Sequence, residues 1–181
     1  MFNSKFYLVI VSFIIFLLPV SSVTNFAQAQ NSDWYGAITA GQGDVSDNDF
    51  DESSSTSFYL GNRYARKSAY EFGYIDLGEF DLKGFSDSYV EITGFEISGL
   101  GIARIGESSE FFGKFGIFFW ESDGEALGNS VDGDDDISLL LGVGANIPFS
   151  QSVGLRLELV DYLDVDDEDI INLSIGLFLK F

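Results

Sequence analysis

From Ile171 to Phe181 the chain sets an apolar side chain at every second position. Ile171, Leu173, Ile175, Leu177, Leu179 and Phe181 fall on one side of an extended strand, and Asn172, Ser174, Gly176, Phe178 and Lys180 on the other, because successive side chains of a strand point to opposite faces. A strand of this length with one apolar face matches the roughly 9–11 tilted residues that cross a bilayer in a transmembrane barrel. The same alternation upstream predicts seven more strands: Trp34–Gly43, Thr56–Tyr64, Ala69–Phe80, Tyr89–Ala103, Glu110–Trp120, Ile137–Ile147 and Val153–Leu163, with the last strand running Ile170–Phe181. An even number is what closure of an antiparallel single-chain barrel requires. The expected fold is all-β, an eight-stranded antiparallel up-and-down transmembrane β-barrel.

The connections alternate as well. Those after the second, fourth and sixth strands are short (Ala65–Ser68, Arg104–Ser109, Pro148–Ser152), and those after the first, third, fifth and seventh are longer and mostly acidic. Outer-membrane barrels pair short periplasmic turns with longer outer loops, so the alternation orients the chain. Asp44, Asp47, Asp49, Asp51 and Glu52 belong to the first long loop, Glu121, Asp123, Glu125 and Asp132 to Asp136 to the third, and Asp161 to Asp169 to the fourth. One rim is thus expected to be strongly acidic, while the other carries Arg66, Lys67 and Arg104.

Residues 1–29 read as a secretory leader. Lys5 precedes an apolar run from Phe6 to Leu18, and Ala27-Gln28-Ala29 has the small-x-small form of a cleavage site. The run is too short for a spanning helix, since about 20 apolar residues are needed. Residues 30–181 then form one barrel domain exported to the bacterial outer membrane.

Composition removes several kinds of chemistry. The chain has no Cys and no His, so disulfides, thiolate nucleophiles and imidazole bases are unavailable. Known barrel hydrolases rely on a catalytic His, so no enzymatic activity and no cofactor are expected. A net charge of −20 disfavours nucleic acid, whose binding depends on Lys and Arg neutralising phosphates. Asp132, Asp134 and Asp136 have the one-three-five spacing of a calcium loop, but Ile137 stands where the turn needs Gly and Val143 where the bidentate Glu belongs. Weak divalent-cation association at these acids is the most that the pattern supports.

Five segments then stand out together: Trp34-Tyr35-Gly36, YEFGYIDLG from Tyr70 to Gly78, GKFGIFFW from Gly113 to Trp120, GLRLELVDYL from Gly154 to Leu163, and the terminal Phe181. In order and spacing they resemble the OmpA-type transmembrane β-barrel domain, over essentially all of the chain after the leader. Larger members continue into a peptidoglycan-binding domain, a tether that a chain stopping at Phe181 is expected to lack. The resemblance implies a lumen charge cluster of Glu71, Lys114, Arg156 and Glu158, with Leu100 and Gly144 standing where the family carries a basic and an acidic member. Family-type gated conduction is therefore not expected.

The residue pattern alone points to the same inward set. Leu155, Leu157 and Leu159 face lipid if Arg156 and Glu158 face inward, whereas Arg or Lys on the lipid face at mid-depth costs about 2–4 kcal/mol. Leu100, Phe118 and Leu140 are expected to fill part of a lumen that eight strands make only just wide enough for side chains. Phe58, Tyr64, Phe72, Tyr74, Phe115 and Phe119 read as lipid-facing, with Trp34, Tyr35, Trp120 and Tyr162 as an interface girdle. Phe181 reads as part of the insertion signal for the barrel-assembly machinery. The expected role is a monomeric, structural barrel among outer-membrane lipids that presents acidic loops. A narrow pore and a soluble lipocalin-like barrel are the alternatives, since periodicity does not distinguish inside from outside.

Overall fold

The computed structural model describes residues 34–45, 51–83, 88–105, 109–126, 129–131 and 133–181, so the leader expected over residues 1–29 lies outside the described residues. Alternating, β-branched and aromatic-rich segments become strands β1 (Trp34–Val45), β2 (Ser53–Ala65), β3 (Ser68–Asp81), β4 (Tyr89–Ile105), β5 (Ser109–Ala126), β6 (Asn129–Val131), β7 (Asp135–Pro148), β8 (Val153–Val165) and β9 (Glu168–Lys180). Every pairing is antiparallel. Eight long strands close on themselves, with β1 paired to β9 and β4 to β5, and β6 is a short addition to the outer end of β5. A closed ladder satisfies the backbone without an exposed edge, which is the condition for crossing a bilayer with strands.

The outer wall carries Phe58, Leu60, Phe72, Tyr74, Phe95, Phe115, Leu141 and Leu173, all exposed. Alternate positions turn inward, and the lumen is a packed interior. Narrowness is accommodated by glycines opposite aromatic rings. A Cβ on Gly61 would lie 2.2 Å from the Tyr35 ring, on Gly144 2.2 Å from Phe112, and on Gly154 2.2 Å from Phe178.

Two irregularities re-phase the alternation. In β3 the register shifts between Asp76 and Gly78, so that Ile75, Leu77 and then Phe80 are buried. Gly78 has φ +80°, where a Cβ would sit 2.3 Å from the Ser54 carbonyl oxygen, and its N–H donates to Asp76 Oδ1 at 2.9 Å. A β-bulge of this kind accepts one extra residue and bends the strand. In β8 the shift falls between Tyr162 and Val165, at Asp164 with φ 58°.

Three expectations change. The fourth long connection is a tight turn: Val165 pairs with Glu168, and the two intervening residues, Asp166 and Asp167, have φ 53° and 66°, the left-handed pair of a type I′ hairpin. Aspartate tolerates this region better than most residues, so an acidic run that reads as a loop closes as a hairpin. Glu121 to Ala126 continue β5 and pair with β4 as far as Tyr89–Glu125, so that part of the third acidic segment is strand. Finally, of the expected interface girdle only Trp34 is exposed, while Tyr35, Trp120 and Tyr162 are buried. Strand phase decides this: the exposed neighbours Trp34 and Phe119 take the lipid face, which turns Tyr35 and Trp120 inward.

Candidate functional site

The lumen is layered along the barrel axis. Its middle layer gathers Glu71 from β3, Glu96 from β4, Lys114 from β5, and Arg156 and Glu158 from β8, each of them buried. Each lies on an inward phase between residues that face lipid: Phe72 beside Glu71, Phe95 and Ile97 around Glu96, Phe115 beside Lys114, and Leu157 and Leu159 around Glu158.

Arg156 organises one half. Its Nη1 and Nη2 each donate to a Glu71 oxygen at 2.8 Å, and its Nε donates to Glu158 Oε2 at 2.7 Å. This forked pairing exploits the planar guanidinium. Lys114 organises the other half, with Nζ 2.6 Å from Glu158 Oε1, 2.7 Å from Glu96 Oε1 and 3.6 Å from Glu71 Oε2. Three carboxylates thus share two cations. The Tyr59 ring lies beside both, 4.1 Å from Lys114 Nζ and 5.0 Å from Arg156 Cζ at its centroid, and Phe112 lies 4.5 Å from Arg156 Cζ. Such faces attract cations when water is excluded.

The structure brings Glu71, Lys114, Arg156 and Glu158 together and adds Glu96, which sequence reasoning missed. Its signal was one acid at the inward phase of an otherwise apolar alternation, Phe95-Glu96-Ile97. Ser98 donates to Glu96 Oε1 at 3.0 Å and Tyr162 to Oε2 at 3.4 Å. At the positions lacking the family's charges, Leu100 packs with Tyr35, Ala69, Ile102 and Phe112 in an apolar layer on the short-turn side. Gly144 has no room for a side chain because Phe112 covers it.

Above and below the ions the lumen is filled. On the long-loop side, Phe118 and Tyr162 pack with centroids 4.8 Å apart and ring planes tilted by 53°, among Ile75, Leu77, Leu140 and Val160 in the larger apolar cluster. Trp120 Nε1 donates to Ser138 Oγ at 2.8 Å, and Ser138 to the Asp164 carbonyl at 2.7 Å. On the other side, Tyr35 caps the ionic layer by donating to Glu71 Oε1 at 2.7 Å.

The remaining site residues lie elsewhere. Phe181 is partly exposed at the wall and its N–H donates to the Trp34 carbonyl at 3.2 Å. Asp132 lies outside the described residues. Asp134 and Asp136 are exposed, and their Oδ1 atoms accept the N–H of the following residue, Asp135 at 3.0 Å and Ile137 at 2.8 Å. Among the described residues no three acidic side chains converge on a metal-sized site.

A closed eight-stranded wall, apolar outside and ionic within, defines a small β-barrel protein of the bacterial outer membrane. The apolar face toward lipid is the feature a soluble barrel would reverse. The OmpA-like transmembrane domain model matches residues 29–174, and the chain belongs to that family. Solved structures agree in fold. Neisserial surface protein A superposes with a TM-score of 0.68 at 13% identity, covering 83% of this chain and 98% of that one. The Pseudomonas aeruginosa outer membrane protein OprG gives 0.60 at 11% identity, covering 83% and 96%. Ail, the attachment invasion locus protein of Yersinia pestis in complex with the heparin analogue sucrose octasulfate, gives 0.59 at 12% identity, covering 82% and 99%. A comparison with curated proteins finds no match.

Proposed function

We propose that this barrel is a non-conducting, non-enzymatic structural element of the outer membrane, which contributes to envelope integrity through its lipid-embedded wall and presents an acidic outer rim. The observation that carries this reading is the filled lumen. Arg156 is fully buried in the ionic layer, Phe118, Leu140 and Tyr162 are fully buried in the apolar layer on its long-loop side, and a second apolar layer lies on the other side. An ion crossing here would have to displace paired charges and packed rings, and separating a buried pair costs several kcal/mol. In this reading the protein acts as a monomer, its partners are outer-membrane lipids and, during insertion, the barrel-assembly machinery, and nucleic acid is not among them. Ail was solved with a heparin analogue; the acidic outer segments here would repel such a polyanion.

The test is conductance of the purified barrel in planar bilayers. The expected record shows no stable unit conductance. Reproducible, long-lived, ion-selective openings would overturn the reading in favour of a narrow pore.

A further inference from the structure

The cations of this acidic chain are not spread over it. Of the Lys and Arg residues after the leader, Lys114 and Arg156 serve the ionic layer and Lys83 lies beside the outer loops, whereas Arg63, Arg66, Lys67, Arg104 and Lys180 all lie at the short-turn end. Three of these, Arg63, Arg104 and Lys180, occupy inward phases of β2, β4 and β9, and so ring the mouth of the lumen. Among the described residues the mouth contains one buried carboxylate, Glu110.

Glu110 is held by its neighbours. Arg63 grips it in a fork, Nη1 to Oε1 at 2.9 Å and Nη2 to Oε2 at 2.6 Å, and Arg104 Nε donates to Oε1 at 3.3 Å. The two terminal nitrogens of Arg104 find no partner among the described residues, nor does the Lys180 ammonium form an ion pair there. Both side chains line a cavity of about 480 Å³ with Glu110, Phe149, Ser150 and Gln151. Ser150 Oγ accepts the N–H groups of Ser152 at 3.3 Å and Val153 at 3.1 Å, which leaves its own hydroxyl hydrogen to donate. Deeper in the lumen on this side lies the apolar layer of Tyr35, Leu100, Ile102 and Phe112. The result is an open cavity in which Arg104 and Lys180 stand beside a carboxylate that Arg63 already pairs.

From this we infer that the periplasmic mouth is a binding site for a phosphate-bearing dianion, a phosphomonoester or diphosphate group, held by Arg104, Lys180 and the Ser150 hydroxyl. Among the described residues, Arg63, Arg104 and Lys180 against Glu110 leave two positive charges in excess, which match a dianion, and guanidinium with ammonium is the donor set that phosphate groups take up. Glu110 engages Arg104 through Nε, which leaves its two terminal nitrogens for the anion. Because the cavity opens at the short-turn end beside inward-phase residues of β4, β5 and β9, a soluble periplasmic phosphate reaches it directly, whereas a lipid must bend its headgroup under the wall.

Pyrophosphate is the probe, titrated calorimetrically at low salt into the full barrel in phosphatidylcholine nanodiscs. The expected result is one-to-one binding, weakened about tenfold or more by Arg104→Gln or Lys180→Gln, as loss of a charge-assisted contact implies, restored by Lys180→Arg and unchanged by Lys83→Gln. Heat-modifiability on a gel verifies that each variant is folded. In nanodiscs containing phosphatidic acid, whose headgroup is a phosphomonoester, native mass spectrometry distinguishes the sources. A retained phosphatidic acid that pyrophosphate displaces, and that the double variant loses, assigns the phosphate to lipid; absence of such a lipid assigns it to solution. No binding at millimolar pyrophosphate, or binding that the double variant leaves unchanged, overturns the inference.

Discussion

Replacing Arg156 by Leu removes the fork to Glu71, the Nε contact to Glu158 and the packing against Phe112 and Tyr59. Lys114 is then the only cation facing Glu71, Glu96 and Glu158. Breaking a buried pair by deleting one partner costs about 3–5 kcal/mol, and full burial of Arg156 places the loss toward the upper end. Glu71→Leu is milder: Arg156 keeps Glu158, two cations face two carboxylates, and the losses are the fork and the partner of the Tyr35 hydroxyl, about 1.5–3 kcal/mol. Combining the two changes leaves Lys114 against Glu96 and Glu158, the same charge excess as in the parent protein. The double variant should therefore lose less than the two single losses added, with a coupling of about 1–3 kcal/mol. Urea unfolding of barrels reconstituted in lipid vesicles measures this, with fluorescence of the buried Trp120 and gel mobility as independent readouts. Additivity to within about 0.5 kcal/mol would falsify the claim that these residues act as one cluster.

Three more outcomes are expected. Deleting Phe181 removes a wall aromatic and its N–H contact to Trp34, and should lower the amount of assembled barrel without blocking export, as heat-modifiability of envelope fractions measures. Placing an acid at Gly144 sets its Cβ against the Phe112 ring and should destabilise the fold by about 1–3 kcal/mol through overpacking, with no gain of conductance. Burial, then the neighbouring Asp134 and Asp167, raises the Asp166 carboxyl above its ordinary range. A carboxyl raised in the folded state gives stability that is present at low pH and lost as pH rises through its folded value. Amide exchange at the β8–β9 turn should therefore slow as pH falls from neutral toward about 4, after correction for intrinsic exchange, and Asp166→Asn should flatten that response.

The barrel was legible from period-two alternation because one face of every strand meets lipid and tolerates few charges. Arg156 and Glu158 stood out between leucines for that reason. Glu96 was harder to see, since its strand is rich in small residues and the family's basic position drew attention to Leu100. Tyr35, Trp120 and Tyr162 read as girdle because they stand near strand ends, but strand phase overrides that position. The β8–β9 turn was hidden by composition, because three left-handed Asp residues look like a solvated loop. The Arg63–Glu110 pair joins residues far apart in sequence, and alternation carries no information about which strands share a mouth.

The pairing of β1 with β9, from Tyr35–Lys180 to Val45–Ile170, has a consequence in time. Every other ladder in the wall joins strands that follow one another along the chain, whereas this one joins the earliest strand to the last. Until β9 emerges from the ribosome, β1 has only one of its two neighbours, and a half-built sheet carries two open edges of the sort that recruit other chains. The polypeptide must therefore travel without folding. Its charge of −20 supplies a self-repulsion that keeps such a traveller expanded and soluble, so the acids that end at the outer rim also serve the chain before it has a rim.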